Sequence, residues 1–312
     1  MRTAGKGAFR RFHQNHPPTH TQPRTKLPEA RHRSPHACPP RPSARGAARH
    51  RVRGRCEKGP PVIDVTDEHY QRIAETYERN WADRPEYVAW MAERIMAWLR
   101  PTPGVRIADI GSGTGLFLGR LVETASAATP ILCIDPSRHM LDLLPDDPRL
   151  SPVRATAEQI ASGEVPLPYE QVDAFVLKEA VHHVTDIPAT LRGLAGRLAP
   201  GGSILIVTLP RRLEYPLFPE ALERFAAGQP EPGDIAEALR AAGLRTEHRY
   251  EEYPVTIDRE QWIGLVRNRW MSVLSTFSAE EIDAGVEAIR LRHPEHELQY
   301  IDRFAFIQGF RD

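Results

Sequence analysis

The sequence predicts an α/β fold in which helices cover both faces of a mostly parallel sheet. Short apolar runs typical of strands alternate with segments of helical periodicity, the order expected of a parallel sheet that is covered on both sides. A glycine turn, Gly111-Ser112-Gly113-Thr114-Gly115, follows the first of these strands, and Asp135 ends the second. In such sheets the ligand crevice lies outside the carboxyl ends of the strands, so these residues are the first candidates for a site.

The strands follow from the apolar runs and the turn residues that flank them. Five are predicted first, at 105–110, 131–135, 152–155, 172–177 and 203–209. A helix at 235–242, stopped by Gly243, then precedes strands at 244–253 and 303–310. Seven strands are therefore expected.

The first sixty residues differ in composition from the rest. They hold fifteen Lys or Arg against Glu29 and Glu57, a balance of +13, and the remaining residues carry −13. With proline pairs and few branched aliphatic residues, this segment cannot bury enough apolar surface to offset chain entropy. We predict a disordered basic extension over 1–60 and a folded domain over 61–312. The alternatives are a tail that binds nucleic acid or an acidic partner, an organelle transit peptide, and an extension translated from a misassigned start.

Charge, hydropathy and cysteine content exclude several classes of function. An acidic body disfavours nucleic acid as a partner, and the run 204–207 is far shorter than a bilayer crossing. The three cysteines show neither a disulfide framework nor metal-ligand spacing. We therefore expect a cytoplasmic protein, a monomer or homodimer, without a metal.

The glycine turn predicts a nucleoside ligand. Three glycines at alternate positions allow the backbone to approach a ligand closely. Asp135 lies twenty residues after Gly115, where a carboxylate can accept both hydroxyls of a ribose. A dinucleotide turn prefers a later third glycine, but Leu116 occupies that position. The spacing thus favours a nucleoside without a diphosphate.

These residues resemble the class I S-adenosylmethionine-dependent methyltransferases, of the broad group called type 11. The segment 109–115 is similar to the family's glycine motif, and Asp135 to its ribose-binding acid. The segments 172–184 and 192–209 resemble the fourth strand with its following loop and the next helix, turn and strand. The resemblance covers residues 68–310. It implies a Rossmann-like, seven-stranded sheet of order 3-2-1-4-5-7-6 with an antiparallel seventh strand, and S-adenosyl-L-methionine as the cofactor.

The resemblance also implies which residues bind the cofactor. A helix that begins near Gly115 would attract its carboxylate, and Asp109 would help to hold its ammonium. Because Thr156 stands where the family often has an acid, backbone groups of Ala157 and Glu158 would recognise the adenine. The predicted cofactor-binding residues are Asp109, Gly111, Ser112, Gly113, Gly115, Asp135, Pro136, Ala157, Glu158 and, through its backbone, Lys178.

His182 and His183 are the candidate catalytic residues. They follow the fourth strand, where a substrate nucleophile would meet the methyl group. A histidine can remove a proton near neutral pH. Methyl transfer also depends heavily on in-line positioning, so the alternative that both histidines only shape the pocket stays open.

Substrate contacts are expected from two helical segments, a cap over 61–100 and an insertion over 256–299. Asp258 is the predicted N-cap of a helix at 259–274, and Ser278 with Glu281 forms a capping box for the next helix, up to 291. Arg269 lies in an otherwise apolar stripe of the first helix and is predicted to hold an anion by two parallel bonds. The alternative is an arginine at the border of the stripe with its charge in solvent. The predicted substrate-binding residues are Tyr77, Arg84, His183, Trp262 and Arg269.

The sequence therefore predicts methyl transfer from S-adenosylmethionine to a small organic molecule, such as a carboxylate-bearing metabolite or a natural-product intermediate. Three alternatives remain open. The first is C- or O-methylation of a quinone precursor. The others are RNA methylation and a non-catalytic protein that binds the cofactor. The absence of an Asn/Asp-Pro-Pro-Tyr motif after the fourth strand disfavours amino methylation of bases.

Overall fold

The structure is a computed structural model that describes residues 84–312. The predicted extension over 1–60, the first part of the predicted cap, and Tyr77 lie outside the described residues. Within residues 84–312, no helix is both long and apolar enough to cross a bilayer.

One seven-stranded sheet forms the centre of the fold, with the order β3-β2-β1-β4-β5-β7-β6. The first five strands run parallel to one another, and β7 runs antiparallel to both β5 and β6. The predicted fold class and strand order are confirmed. The strands are β1 Ile107–Ile110, β2 Ile131–Asp135, β3 Leu150–Arg154, β4 Val172–Lys178, β5 Leu198–Thr208, β6 Arg245–Asp258 and β7 Glu297–Phe310.

The helices begin where the sequence provides caps. Proline occupies the first turn of several of them, a position where its missing N–H costs nothing. Asp258 and the Ser278–Glu281 capping box act as predicted. The α-helices are α1 Pro85–Leu99, α2 Arg138–Leu141, α3 Ala157–Ser162, α4 Ile187–Gly196, α5 Pro219–Gly228, α6 Pro232–Ala241, α7 Arg259–Arg267 and α8 Ala279–Arg292.

Several predicted element boundaries were wrong. The expected helix after Gly115 is replaced by two short 3-10 helices, Leu116–Leu118 and Leu121–Thr124. Gly119 separates them, and glycine is a poor helix former. The strands expected at 244–253 and 303–310 are longer, because β6 and β7 pair along their whole length. Hydrogen bonding to a neighbouring strand therefore makes a strand longer than its apolar sequence pattern predicts.

The sheet buries a separate apolar cluster on each face. In β4, Ala174 and Val176 pack on one side, whereas Phe175 and Leu177 pack on the other, as the two-residue period of a strand requires. Helices α1, α5, α7 and α8 contribute to the first cluster, and α3, α4 and α6 to the second. This packing leaves the carboxyl edge of the parallel strands available for a site.

Candidate active site

A cavity of about 790 Å³ lies at the carboxyl ends of β1, β2 and β4. This volume is in the usual range for small-molecule sites. Predicted site residues line most of one side, whereas Gly115, Trp262 and Arg269 are not among the lining residues. The predicted residues that line the cavity are Arg84, Asp109, Gly111, Ser112, Gly113, Asp135, Pro136, Ala157, Glu158, Lys178, His182 and His183.

The glycine turn brings backbone to the cavity surface. Gly111 and Gly113 have φ angles of 76° and 55°, which side chains disfavour. A Cβ on Gly111 would lie 2.5 Å from the Cβ of Ala180, whereas a Cβ on Gly113 would meet nothing within 4 Å. Gly113 is therefore the open point of the turn, and Gly115 packs beside Leu144.

Asp135 is fixed in place by the turn. Its Oδ2 accepts a hydrogen bond from the Gly113 N–H at 3.0 Å, and its Oδ1 accepts one from the Ser137 N–H at 2.8 Å. Burial raises the pKa of Asp135, and these two bonds oppose that rise. Each carboxylate oxygen can accept more than one hydrogen bond. The preset carboxylate can therefore still receive the hydroxyls of a ribose.

Asp109 and Ser112 provide further polar groups beside the turn. Burial, and then the charge of Asp135, raises the pKa of Asp109 to about 7, while Lys178 opposes the rise. The Ser112 hydroxyl is buried and has no hydrogen-bond partner among residues 84–312. A buried hydroxyl without a partner indicates a missing ligand or water. The unpaired Ser112 hydroxyl and the open backbone at Gly113 together fit the amino-acid part of S-adenosylmethionine.

The wall predicted to contact adenine is held by its own hydrogen bonds. The Thr156 hydroxyl accepts from the Gln159 N–H and caps α3. Glu158 accepts from the Thr185 N–H at 3.0 Å, which joins α3 to the loop after β4. Ala157 is buried in the same wall. These side chains fix the position of the wall through hydrogen bonds within the protein. Recognition of the adenine is therefore left to the surface that the wall presents to the cavity.

The two histidines form a short 3-10 helix after β4, Val181–His183. Their ring centroids lie 4.1 Å apart. Burial, and then the neighbouring His183 and Lys178, lowers the pKa of His182 well below its usual value. His182 is therefore neutral near pH 7 and a weak proton acceptor. Its Nδ1 is buried without a partner in the described part of the chain.

Five aromatic residues also line the cavity, and we call this set the aromatic chamber. It is formed by Tyr87, Phe117, Phe225, Trp270 and Phe304. The Lys178 Nζ lies 3.9 Å from the centroid of the Phe117 ring, a cation–π contact. The chamber fits a flat, largely apolar molecule.

A group of buried polar side chains lies at the end of the chamber, and the sequence did not reveal it. The Tyr215 hydroxyl donates to Asp302 Oδ1 at 2.5 Å, and Glu179 Oε1 accepts from the Leu209 N–H at 2.9 Å. Burial raises the pKa of Asp302 to about 6 and that of Glu179 to about 7. Glu179 directly follows Lys178 at a strand end, so the strand-end rule could have found it. Tyr215 and Asp302 lie outside the predicted strands.

The structure corrects the placement of Trp262 and Arg269. Helix α7 ends at Arg267, and Arg269 has a φ of 52°, so the helical stripe expected through residue 274 does not continue. The Arg269 guanidinium donates to the Phe277 carbonyl at 3.2 Å. Trp262 is fully buried and donates its indole N–H to the Pro216 carbonyl at 2.8 Å. The insertion lines the cavity with Trp270, Met271 and Ser272 instead.

Arg84 lies at the border between the cap and the cavity. Its side chain hydrogen-bonds Tyr300 and lies 6.0 Å from the Tyr87 ring centroid. Among residues 84–312, no group of three or more His, Cys, Asp or Glu is placed to hold a metal ion.

Comparisons with known proteins indicate a methyltransferase domain. Residues 108–204 match a type 12 family model described as "Methyltransferase domain". An uncharacterized methyltransferase of Mycobacterium tuberculosis is 34% identical over 132 residues, which cover 42% of this chain and 48% of the relative. A ubiquinone biosynthesis O-methyltransferase of Rhizobium etli is 30% identical over 128 residues, covering 41% and 49%. The chain thus spans about half the length of the curated relatives that it matches.

A solved structure has the same fold. Phosphoethanolamine N-methyltransferase 2 of Haemonchus contortus, in complex with phosphomonomethylethanolamine and S-adenosylhomocysteine, gives a TM-score of 0.51 at 16% identity. The match covers 81% of this chain and 59% of that one. At this identity the similarity establishes the fold, and the acceptor must be argued from the residues of this chain.

Proposed function

We propose that the chain, whose residues 108–204 match a methyltransferase domain model, transfers a methyl group from S-adenosylmethionine to a small organic molecule. One observation carries the proposal. A single cavity joins the glycine turn and Asp135 to the aromatic chamber. A nucleoside cofactor and an apolar acceptor could therefore meet in one space that limits the access of water.

The residues present match the parts of the cofactor. Asp135 would accept the ribose hydroxyls, and the open backbone at Gly113 would admit the amino-acid part. Asp109 would pair with the ammonium, because a nearby positive charge returns a carboxyl of raised pKa to its ionised form. S-adenosylmethionine supplies an electrophilic methyl group on a sulfonium.

Positioning is the main contribution expected of the chain. Methyl transfer needs the acceptor atom in line with the bond that breaks, and a fixed geometry supplies much of the rate. The chamber walls Tyr87 and Phe304 are almost completely buried, so they offer a fixed surface. Such walls can orient a flat acceptor and displace water from it.

The chamber favours an aromatic or quinone-like acceptor over a simple carboxylate. With Arg269 outside the cavity, the predicted carboxylate anchor is absent from the lining. A carboxylate beside Asp302 would meet a second acidic group, although Lys178 and Arg84 line the same cavity. Methylation of a quinone precursor is the second candidate. It is favoured by the aromatic walls and by the similarity to the Rhizobium etli ubiquinone biosynthesis O-methyltransferase.

A labelled-transfer assay tests the proposal. The full chain is incubated with methyl-labelled S-adenosylmethionine and a panel of phenols, quinols, amines and carboxylic acids, and labelled products are identified by mass spectrometry. We expect transfer to at least one aromatic acceptor.

Asp135→Ala should weaken cofactor binding roughly tenfold or more, because hydrogen bonds to a charged group contribute about 1.5–3 kcal/mol each.

The matched control is Asp146→Ala, which removes an exposed acid outside the cavity and should leave cofactor affinity unchanged. Tight cofactor binding without transfer to any acceptor would favour the non-catalytic alternative. A chain that folds but does not bind the cofactor contradicts the proposal altogether.

A further inference from the structure

We propose that Tyr215 and Asp302 form the proton-accepting pair of this site, and that the acceptor is a flat molecule whose hydroxyl group donates to Asp302. This inference rests on the proposed function and names the acceptor group. It assigns the proton to a carboxylate on β7 rather than to His182 or His183.

The position of the pair is the first argument. Tyr215 follows β5 and Asp302 lies in β7, and both line the cavity. Asp302 lies three residues before Ala305, which pairs with Thr208 at the end of β5. The antiparallel β7 therefore brings Asp302 to the carboxyl edge of the parallel strands. Its Oδ1 accepts the Tyr215 hydroxyl, which fixes the orientation of the carboxylate.

The charges around Asp302 are the second argument. The titratable groups that influence it are Tyr215, Lys178 and Arg84, and Glu179 and Tyr300 interact with it as well. Burial outweighs the positive charges and raises the pKa of Asp302 to about 6. Near pH 7 the carboxylate is therefore ionised but basic enough to accept a proton. Burial keeps Tyr215 protonated, because it raises the pKa of that phenol well above its usual value.

The shape and charge of the chamber indicate the acceptor. The Tyr215 ring lies 5.9 Å from the Trp270 ring, centroid to centroid, so the pair borders the aromatic wall. A carboxylate placed against Asp302 would be repelled by it, and Lys178 and Arg84 would offset only part of this repulsion. A hydroxyl can instead donate a charge-assisted hydrogen bond to Asp302. A phenol combines this donor with a flat ring.

The proposed step is balanced in atoms and electrons. The acceptor oxygen uses a lone pair to form a bond to the methyl carbon while the carbon–sulfur bond breaks and its electrons remain on sulfur. The hydroxyl proton passes to the Asp302 carboxylate. The products are a methyl ether, S-adenosylhomocysteine and a protonated Asp302, which returns its proton to solvent.

Binding is tested first, independently of turnover. 2-Naphthol and the matching 2-naphthoate are titrated into full-length protein loaded with S-adenosylhomocysteine, and heats of binding are measured between pH 5 and 8. We expect naphthol to bind more tightly than naphthoate. Naphthol affinity should fall as the pH decreases through about 6, because Asp302 then becomes protonated and no longer acts as a charged acceptor. Asp302→Asn should remove this pH dependence, whereas Asp146→Asn, at an exposed position outside the cavity, should retain it.

The pH profile of methyl transfer to the best phenol tests the proton step. Asp302→Asn should lower kcat roughly 100-fold or more, the range for loss of a general base, and should abolish the fall in rate below about pH 6. Tyr215→Phe should move that fall to higher pH, since the Tyr215 hydrogen bond lowers the pKa of Asp302. Tyr250→Phe, at an exposed position outside the cavity, should not move it.

The outcomes separate this inference from the proposed function. If naphthol affinity changes neither with pH nor in Asp302→Asn, the proposed role of Tyr215 and Asp302 is overturned, even if the protein is an active methyltransferase. If Asp302→Asn fails to fold, an unmoved pH profile in Tyr215→Phe overturns it instead. If the fall in rate below about pH 6 disappears in His183→Ala but persists in Asp302→Asn, the proposed role is also overturned. Failure to transfer a methyl group to any acceptor contradicts the proposed function instead.

Discussion

Arg269 and Trp270 are neighbours in sequence, but only one of them reaches the cavity. Trp270 lines the aromatic chamber, whereas Arg269 donates to the carbonyl of Phe277. The chain turns at Arg269, whose φ is 52°. Two neighbouring residues therefore differ in role, because one lines the cavity and the other bonds within the protein.

Substitutions at these two positions should have different effects on catalysis. Trp270→Ala should raise the KM for an aromatic acceptor roughly tenfold, the effect of removing a well-packed aromatic contact. Arg269→Gln, the matched control, should change the KM by less than about twofold, because a solvent-bordering side chain that contacts no ligand contributes little. Steady-state kinetics at saturating cofactor measure both. A larger rise in Arg269→Gln than in Trp270→Ala would restore the anion anchor.

At single positions, the sequence was most informative where a backbone rule applies. Asp135 and Gly113 follow strand ends, and strand ends of parallel sheets meet at one edge. Tyr215 and Asp302 obey no such local rule. Asp302 occurs one residue before the strand predicted at 303–310, and only the pairing of β7 with β5 brings it to the cavity. The hydrogen bond between Tyr215 and Asp302 joins residues 87 positions apart in the chain.

At the level of elements, the glycine turn combines a special backbone conformation with close packing. Gly111 and Gly201 have nearly equal φ angles, 76° and 75°. They differ in surroundings, because a Cβ would collide with Ala180 at Gly111 and would meet nothing within 4 Å at Gly201. The two positions therefore separate backbone strain from steric overlap.

Gly111→Ala should destabilise the protein more than Gly201→Ala. Both substitutions cost about 1–2 kcal/mol for a side chain in the left-handed region, and the Gly111 variant loses about 1–3 kcal/mol more from overpacking. Denaturant unfolding monitored by circular dichroism measures the difference. Equal loss of stability in the two variants would mean that the turn can move away from Ala180.

The sequence predicted the type and order of elements better than their ends. Alternating strands and helices define the parallel sheet, and caps such as Asp258 mark where helices begin. The helix expected after Gly115 is replaced by 3-10 turns, and the helix expected at 259–274 begins as predicted but ends at Arg267. In both segments the local sequence pattern was compatible with a longer helix. Contacts with the rest of the fold, which the local pattern does not contain, decide the path of the chain after Gly115 and after Arg267.

For the molecule as a whole, the strand order determines where the chemistry occurs. The glycine turn follows β1, Asp135 ends β2, and Lys178 ends β4. Because β1 lies between β2 and β4, these ends surround one space. The antiparallel β7 adds Asp302 from a distant part of the sequence, so the residues that line the cavity come from both ends of the described chain.

A crystal structure of the full chain with S-adenosylhomocysteine tests the central claim, that this cavity holds the cofactor with its sulfur towards the acceptor. The account predicts that both ribose hydroxyls hydrogen-bond Asp135, that the amino-acid part lies on Gly113, and that the sulfur faces the aromatic chamber. A nucleoside bound away from Asp135, or a sulfur directed away from the chamber, would contradict it.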